Sequence, residues 1–418
     1  DFKNLVILGL NESKWPRKFT APSFIPYNIR KGFGLPGIDE QDAMYAYYFY
    51  RLLQRAKNVT ATYSVVKEGI NTGELSRYGY QLQYDSVHKP EMFNLDFVFS
   101  GESLGQISVK SSDEIVHSLL EKNTEDYPLS PSAINTYLNC SLKFYFRYVA
   151  GLPEPDEMKE EIDGVIFGNI FHDTMEALYQ PFVGKTIEKD DIEKILKDRV
   201  LLDNEVTRQI AIHYLKQKEP EIGKVKLEGK TILFFENIKT YLQQLLEIDK
   251  KMAPLQIVSL EEKYKREIIV AGKTVIIGGR IDRVDQVNGC MRVIDYKTGK
   301  VESLTLNDVS DLFDREAKEP KKAILQALIY SWGLRRKYAG TEVYPAIYGL
   351  HKIFENSFAP SIVLKKNKKE VLFSDIEEEF EALLTQLIAG IYSPENSFCQ
   401  TEHAEKCRYC PYKEICMR

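Results

Sequence analysis

Apolar and polar positions change period several times along the chain, and those changes mark out its elements. Residues 4–10 (NLVILGL) are a short continuous apolar run, the pattern of a buried strand. A Pro- and Gly-rich stretch over 11–37 then reads as a long loop. Residues 40–56 (EQDAMYAYYFYRLLQRA) are helical in pattern, and 58–66 (NVTATYSVV) alternate like a strand. Strand, loop, helix, strand is a piece of an α/β domain, too small to be the whole of one. Residues 86–127 are weakly patterned and read as a connector.

The character changes at Ser130-Pro131, where Ser as N-cap and Pro at the first helical position start a helix. Residues 167–180 (FGNIFHDTMEALYQ) place Phe171, Met175 and Leu178 on one apolar stripe, with His172 and Glu176 one turn apart on a neighbouring face. A His in that setting is often only structural. Residues 187–250 read as helical and rich in Lys and Glu, and 258–279 begin a sheet. Residues 323–340 form a helix stopped by Gly340, carrying Gln326 and Tyr330 on one face. Residues 342–353 read as a further strand, and a helix precedes the C-terminal segment.

The most informative stretch is 274–299 (TVIIGGRIDRVDQVNGCMRVIDYKTG). Asn288-Gly289 signals a two-residue type I′ hairpin turn. A turn that tight sets Asp282 directly opposite Asp295 at a non-hydrogen-bonded position, where side chains approach most closely. Two facing carboxylates repel, and a bound cation reverses that sign. Lys297, two residues past Asp295, points to the same face. The unit reads as a metal site with an ammonium beside it. The competing reading is a structural hairpin with an ordinary Lys–Asp pair, which leaves two opposed aspartates unexplained.

At 418 residues the chain has room for two or three domains, and 44% hydrophobic with 28% charged residues is ordinary for a globular protein. A net charge of −5 argues against a wholly basic nucleic-acid binder, while 56 Lys and Arg leave room for a local basic groove. No apolar run is long enough to span a bilayer, and no signal peptide is evident, so no membrane role is expected. The first residues, DFKNLVILGL, lack an initiator Met and read as a cut into a longer protein. Three of six cysteines form C-x2-C-x5-C at the C-terminus, a clustering that favours a metal or cluster site in a cytoplasmic protein over a disulfide framework. Within LKFYFRY, Lys143 and Arg147 interleave with Tyr145 and other aromatics. That mixture suits single-stranded DNA, and equally suits a helix with aromatics in the core and cations in solvent.

Two resemblances follow from these motifs. NLVILGLNESKWP, FIPYNIR, FGLPG and YFYRLLQRAKNVTATYS resemble the end of the second motor domain of superfamily 1 helicases, closest to the AddB-type helicase–nuclease subunits. That likeness implies a partial RecA-like segment over 1–95 and a connector over 96–127. The chain has no G-x-x-x-x-G-K-[ST] phosphate loop, so no ATP hydrolysis is expected of it. Arg51 and Arg55 are candidates for a nucleotide-sensing arginine or a solvated helix face.

The second likeness is to PD-(D/E)XK nucleases of the RecB and AddB type, carried by F-G-x-x-x-H, G-G-R-I-D-R-V-D, V-I-D-Y-K-T-G and Q-A-L-I-Y over 128–418. It implies an α/β restriction-endonuclease-like core, a mixed sheet flanked by helices. His172, Asp282, Asp295 and the Ile294 carbonyl would be ligands for Mg²⁺ or Mn²⁺, with Lys297 as catalytic lysine and Gln326 and Tyr330 beside it. Cys140, Cys407, Cys410 and Cys416 match the thiolates that hold a [4Fe–4S] cluster in AddB-type and CRISPR-adaptation nucleases. A four-cysteine zinc site is the alternative. Cys399 is a spare, and Cys290 reads as a strand residue.

The expected function is metal-dependent cleavage of DNA, as exonuclease or endonuclease, alongside a helicase–nuclease partner subunit in double-strand-break repair. The rivals are a non-catalytic DNA-binding scaffold and a small-molecule or RNA phosphodiesterase.

Overall fold

A computed structural model describes residues 2–12, 14–17, 25–65, 73–85, 87, 89–95, 105–154, 163–355, 357–366 and 368–418. The chain divides into two compact units, Asp1–Gly101 and Glu102–Arg418. In the first, strands Asn4–Ile7 and Asn58–Ala61 pair in parallel, joined through helix Ile38–Leu53. Its small core gathers Ile7, Leu10, Phe49, Leu75 and Tyr78, with the Phe49 and Tyr78 rings stacked at 4.8 Å. The expected loop contains a helix, Tyr27–Gly32, closed by Gly34 at φ +66°. Its Pro- and Gly-rich flanks disguised it. Arg51 is exposed and donates to Gln54 Oε1 (2.7 Å), as on a solvated helix face.

The second unit is a mixed α/β structure built on a five-stranded sheet. Its strands, in spatial order, are β1 (Thr186–Ile187), β2 (Leu255–Val270), β3 (Lys273–Val287), β4 (Cys290–Lys297) and β5 (Val343–Gly349). All neighbours are antiparallel except β4 and β5, which run parallel. Asn288 (φ +51°) and Gly289 (φ +82°) are both left-handed, as the type I′ turn requires, and Val287 pairs with Cys290 across it.

Alternation along the strands feeds two cores. Val293 and Ile347 join one, Ile294, Ala346 and Tyr348 the other. The first core receives α1 (Pro131–Asn139), α4 (Lys322–Leu334) and α5 (Phe373–Ile391); the second receives α2 (Gly164–Tyr179) and α3 (Lys230–Met252). Ser130 Oγ accepts from Ala133 N (3.2 Å) with Pro131 behind it, the start the sequence predicts for α1. For α2 the cap is Asp163, which accepts from Val165 N and Ile166 N.

The segment expected as a connector differs from that reading. Strand Ser108–Lys110 pairs antiparallel with Ser397–Cys399, and Val116 and Leu119 of helix Asp113–Lys122 are buried in the first core. Its partner strand lies at the far end of the chain, so local pattern could not reveal it. Among the described residues no helix is long and apolar enough to cross a membrane.

Candidate active site

The β3–β4 hairpin places Asp282 and Asp295 one step beyond the Arg283–Ile294 pair that ends its ladder. There Asp282 Oδ2 accepts a hydrogen bond from the Tyr296 backbone N (2.7 Å). His172, on α2, brings Nδ1 to 3.4 Å from Asp282 Oδ1, with its ring edge-on to Tyr296. Burial pulls the His172 pKa down, but the carboxylates of Asp282, Asp295 and Glu261 outweigh it and the net shift is upward.

Glu261 is the residue that sequence reasoning missed. It lies on β2 between the pairs Leu260/Arg283 and Glu262/Ile281, opposite Asp282, with φ +48°. A left-handed non-glycine residue costs about 1 kcal/mol or more, and such strain gathers at functional sites. One ligand atom each from His172, Glu261 and Asp282 falls within 4.8 Å of the others. Burial and the Asp282 charge raise the Glu261 pKa, while Arg280, which donates to its Oε2, opposes them. No local sequence signal marks it.

Asp295 is 1% exposed. Burial lifts its pKa to about 6; Lys297 opposes the rise and Asp282 adds to it. Lys297 Nζ lies 2.8 Å from Asp295 Oδ2 and donates to Gln326 Oε1 (3.0 Å). Gln326 Nε2 donates to Tyr330 Oη (2.5 Å), and burial with the Asp295 and Asp282 charges holds the Tyr330 hydroxyl protonated far above its ordinary range. The structure thus brings His172, Asp282, Asp295, Lys297, Gln326 and Tyr330 to one place. Ile294 precedes Asp295 and pairs with Arg283 in the last step of the ladder, with its side chain in the second core.

Beneath the hairpin lies a buried ionic network. Arg283 reaches Asp249 and Asp285 (2.5 Å each), and Arg292 grips Asp285 with two bonds of 2.7 Å. Tyr179 Oη donates to Asp249 Oδ2 (2.6 Å). Charges balance in this network, which anchors β3 and β4 to α3.

The cysteines separate into two sets. Cys140, Cys407, Cys410 and Cys416 line one cavity, walled by Phe146 and Tyr412. Cys140 occupies an extended break (φ −164°) between α1 and the turn that follows. Burial and the neighbouring sulfurs push the Cys416 thiol up to about 11, and Cys407 is raised for the same reasons. Four soft donors line the same cavity, and thiolates that repel one another there are the kind of donors a metal or cluster would take. Cys399 Sγ instead contacts the Ser397 carbonyl (3.7 Å), and Cys290 closes the hairpin turn.

Lys143, Tyr145 and Arg147 do not share a face. Lys143 lines the thiol cavity, Tyr145 packs its ring on Phe398 (5.5 Å), and exposed Arg147 pairs with Glu154 (2.6 Å). A π-helical stretch over Tyr145–Val149 rotates them apart.

An ATP-dependent helicase/deoxyribonuclease subunit of Clostridium perfringens is 21% identical to this chain over 305 residues, covering 68% of this chain and 25% of that protein. A protein of the same name in Streptococcus agalactiae is 26% identical over 200 residues, covering 47% of this chain and 16% of that protein. The chain therefore spans a quarter or less of the length of these relatives. Residues 128–417, the part that carries both the carboxylate–lysine site and the thiol cavity, match the profile of the PD-(D/E)XK nuclease superfamily, and the chain belongs to that superfamily.

Proposed function

We propose that this chain is the nuclease-bearing part of an AddB-type helicase–nuclease subunit. It hydrolyses DNA phosphodiester bonds with Mg²⁺ or Mn²⁺, beside a partner subunit, in double-strand-break repair. The observation that carries this reading is the convergence of His172, Glu261 and Asp282 within 4.8 Å, next to an Asp295–Lys297–Gln326 chain. The donor set fits a hard divalent ion, and the imidazole makes Mn²⁺ at least as suitable as Mg²⁺. His172, Glu261, Asp282 and Asp295 would hold it, and the ion supplies Lewis-acid stabilisation and a lowered water pKa. Lys297 has three donors and spends two on Asp295 and Gln326, so one remains for a phosphate oxygen or the attacking water. Hydrolysis forms a bond from water oxygen to phosphorus, breaks one ester P–O bond, and leaves the departing oxygen protonated.

The names of the relatives support the DNA substrate and the partner subunit. By the resemblance to AddB-type nucleases, the four-thiol cavity would hold a [4Fe–4S] cluster rather than zinc, and free thiols suit the cytoplasm. The test is cleavage of labelled single-stranded DNA with Mn²⁺, by the wild type and by Asp282→Ala. Metal-dependent cleavage lost in the variant supports the nuclease. DNA binding without cleavage by the wild type would replace it with a scaffolding role.

A further inference from the structure

Lys143 and Lys406, far apart in sequence, line the same cavity of the second unit, and Lys322 lies near enough to feel the charge of both. Lys322 opens α4, one turn before Gln326 and two before Tyr330 on the same face. The row of side chains that ends in the active site therefore begins at Lys322. Its carbonyl accepts from Asn135 Nδ2 (3.1 Å), tying the start of α4 to α1. Lys143 and Lys406 both line the thiol cavity. Lys406 Nζ donates to the Arg315 carbonyl (3.1 Å), and Arg315 Nη2 donates to Ser141 Oγ (2.8 Å), two residues before Lys143.

Lys322 is open to solvent yet crowded. Burial lowers its pKa first, and the charges of Lys143 and Lys406 lower it further. The carboxylate that opposes these charges, Glu302, already accepts from Ala323 N (2.7 Å). Among the described residues neither Lys143 nor Lys322 forms an ion pair. Three ammonium groups held together repel one another, and a polyanion laid across them reverses the sign.

We propose that Lys143, Lys322 and Lys406 form a phosphate-tracking subsite, which carries the backbone of a single DNA strand between the active site and the thiol cavity. The inference rests on the nuclease reading above and adds the path its substrate takes. Cations grouped without base-reading side chains suit the phosphates of one strand and leave its bases free of sequence-specific contacts.

The test is fluorescence anisotropy with a labelled single-stranded oligonucleotide, in EDTA so that nothing is cut, across a salt series. Wild type is compared with Lys322→Gln, which keeps most of the side-chain stem, with the triple variant Lys143→Gln/Lys322→Gln/Lys406→Gln, and with Lys197→Ala, the exposed last residue of helix Lys189–Lys197, which packs in the second core. Each lost phosphate contact should reduce the slope of log affinity against log salt by about 0.7, so about 2 for the triple variant. That corresponds to about fivefold in affinity per lysine for each tenfold fall in salt. Lys197→Ala should match wild type. An unchanged slope in the triple variant, or an equal loss in Lys197→Ala, overturns the subsite. Cleavage by wild type with Mn²⁺ is scored separately, so a protein that loses its slope but never cuts DNA refutes the nuclease and keeps the subsite.

Discussion

The carboxylate of Asp282 accepts the backbone N–H of Tyr296 at 2.7 Å, so one strand of the hairpin holds the residue that follows Asp295 on the other. One Asp282 oxygen is thus structural, and the other faces His172 at 3.4 Å. Asp282→Asn can keep the first contact while removing the charge. It should unfold within about 1 kcal/mol of wild type, since an exchanged neutral acceptor changes stability by no more than a typical hydrogen bond. Its Mn²⁺ affinity, measured by electron paramagnetic resonance, should fall by at least about 100-fold.

Glu261 should behave as part of the same donor set. Glu261→Gln is expected to weaken Mn²⁺ by about 10–100-fold. Isothermal titration reads this without any turnover. An unchanged affinity would assign its left-handed backbone to the Arg280 pairing alone.

In the proposed reaction Lys297 would act on developing charge rather than on the metal. Lys297→Ala should cut the cleavage rate by about 10²–10³, as loss of a single well-placed donor does, with Mn²⁺ affinity retained. Gln326→Ala should lower the rate by less, because Asp295 still holds the ammonium.

Asp285 gives a pH dependence. Burial alone would raise its pKa, but Arg283 and Arg292 outweigh it and the native value lies below that of the unfolded chain. As pH falls the unfolded chain takes the proton first, so this contribution is complete above about pH 4 and is lost below it. Asp285→Asn should cost about 3–5 kcal/mol at neutral pH by leaving buried cations under-paired. Urea unfolding at pH 7 and pH 3 should show the gap between the two proteins narrowing at the lower pH.

For the thiol cavity, anaerobic expression should yield brown protein with four iron and four sulfide per chain. Cys140→Ser and Cys410→Ser should lose them and Cys399→Ser should keep them. Colourless protein with one zinc per chain would favour the alternative.

How far the sequence revealed these features depended on the distance over which each is encoded. The hairpin was legible because Asn288-Gly289 is a local signal, and register follows from it by counting. The thiol set was legible by spacing at the C-terminus and by likeness for Cys140. Glu261 was not, since its placement depends on a left-handed kink and on the register of β2, which shifts between Ile257 and Ser259. Locally Tyr145 reads equally as a base-stacking or a core aromatic; what decides its packing is Phe398, from the other end of the chain. The pairing of Ser108–Lys110 was hidden for the same reason.

That last pairing also sets how the second unit would respond to force. Ser108 faces Cys399 and Lys110 faces Ser397, so the chain enters and leaves the seam at the same end. Tension between the two would open it one pair at a time, as a zipper, rather than shear all pairs together. Cys407, Cys410 and Cys416 lie on the pulled side of Cys399, and their cavity partner Cys140 is anchored at the end of α1. With the four sulfurs bridged, a load applied at the C-terminus passes into the helical core before it reaches the zipper.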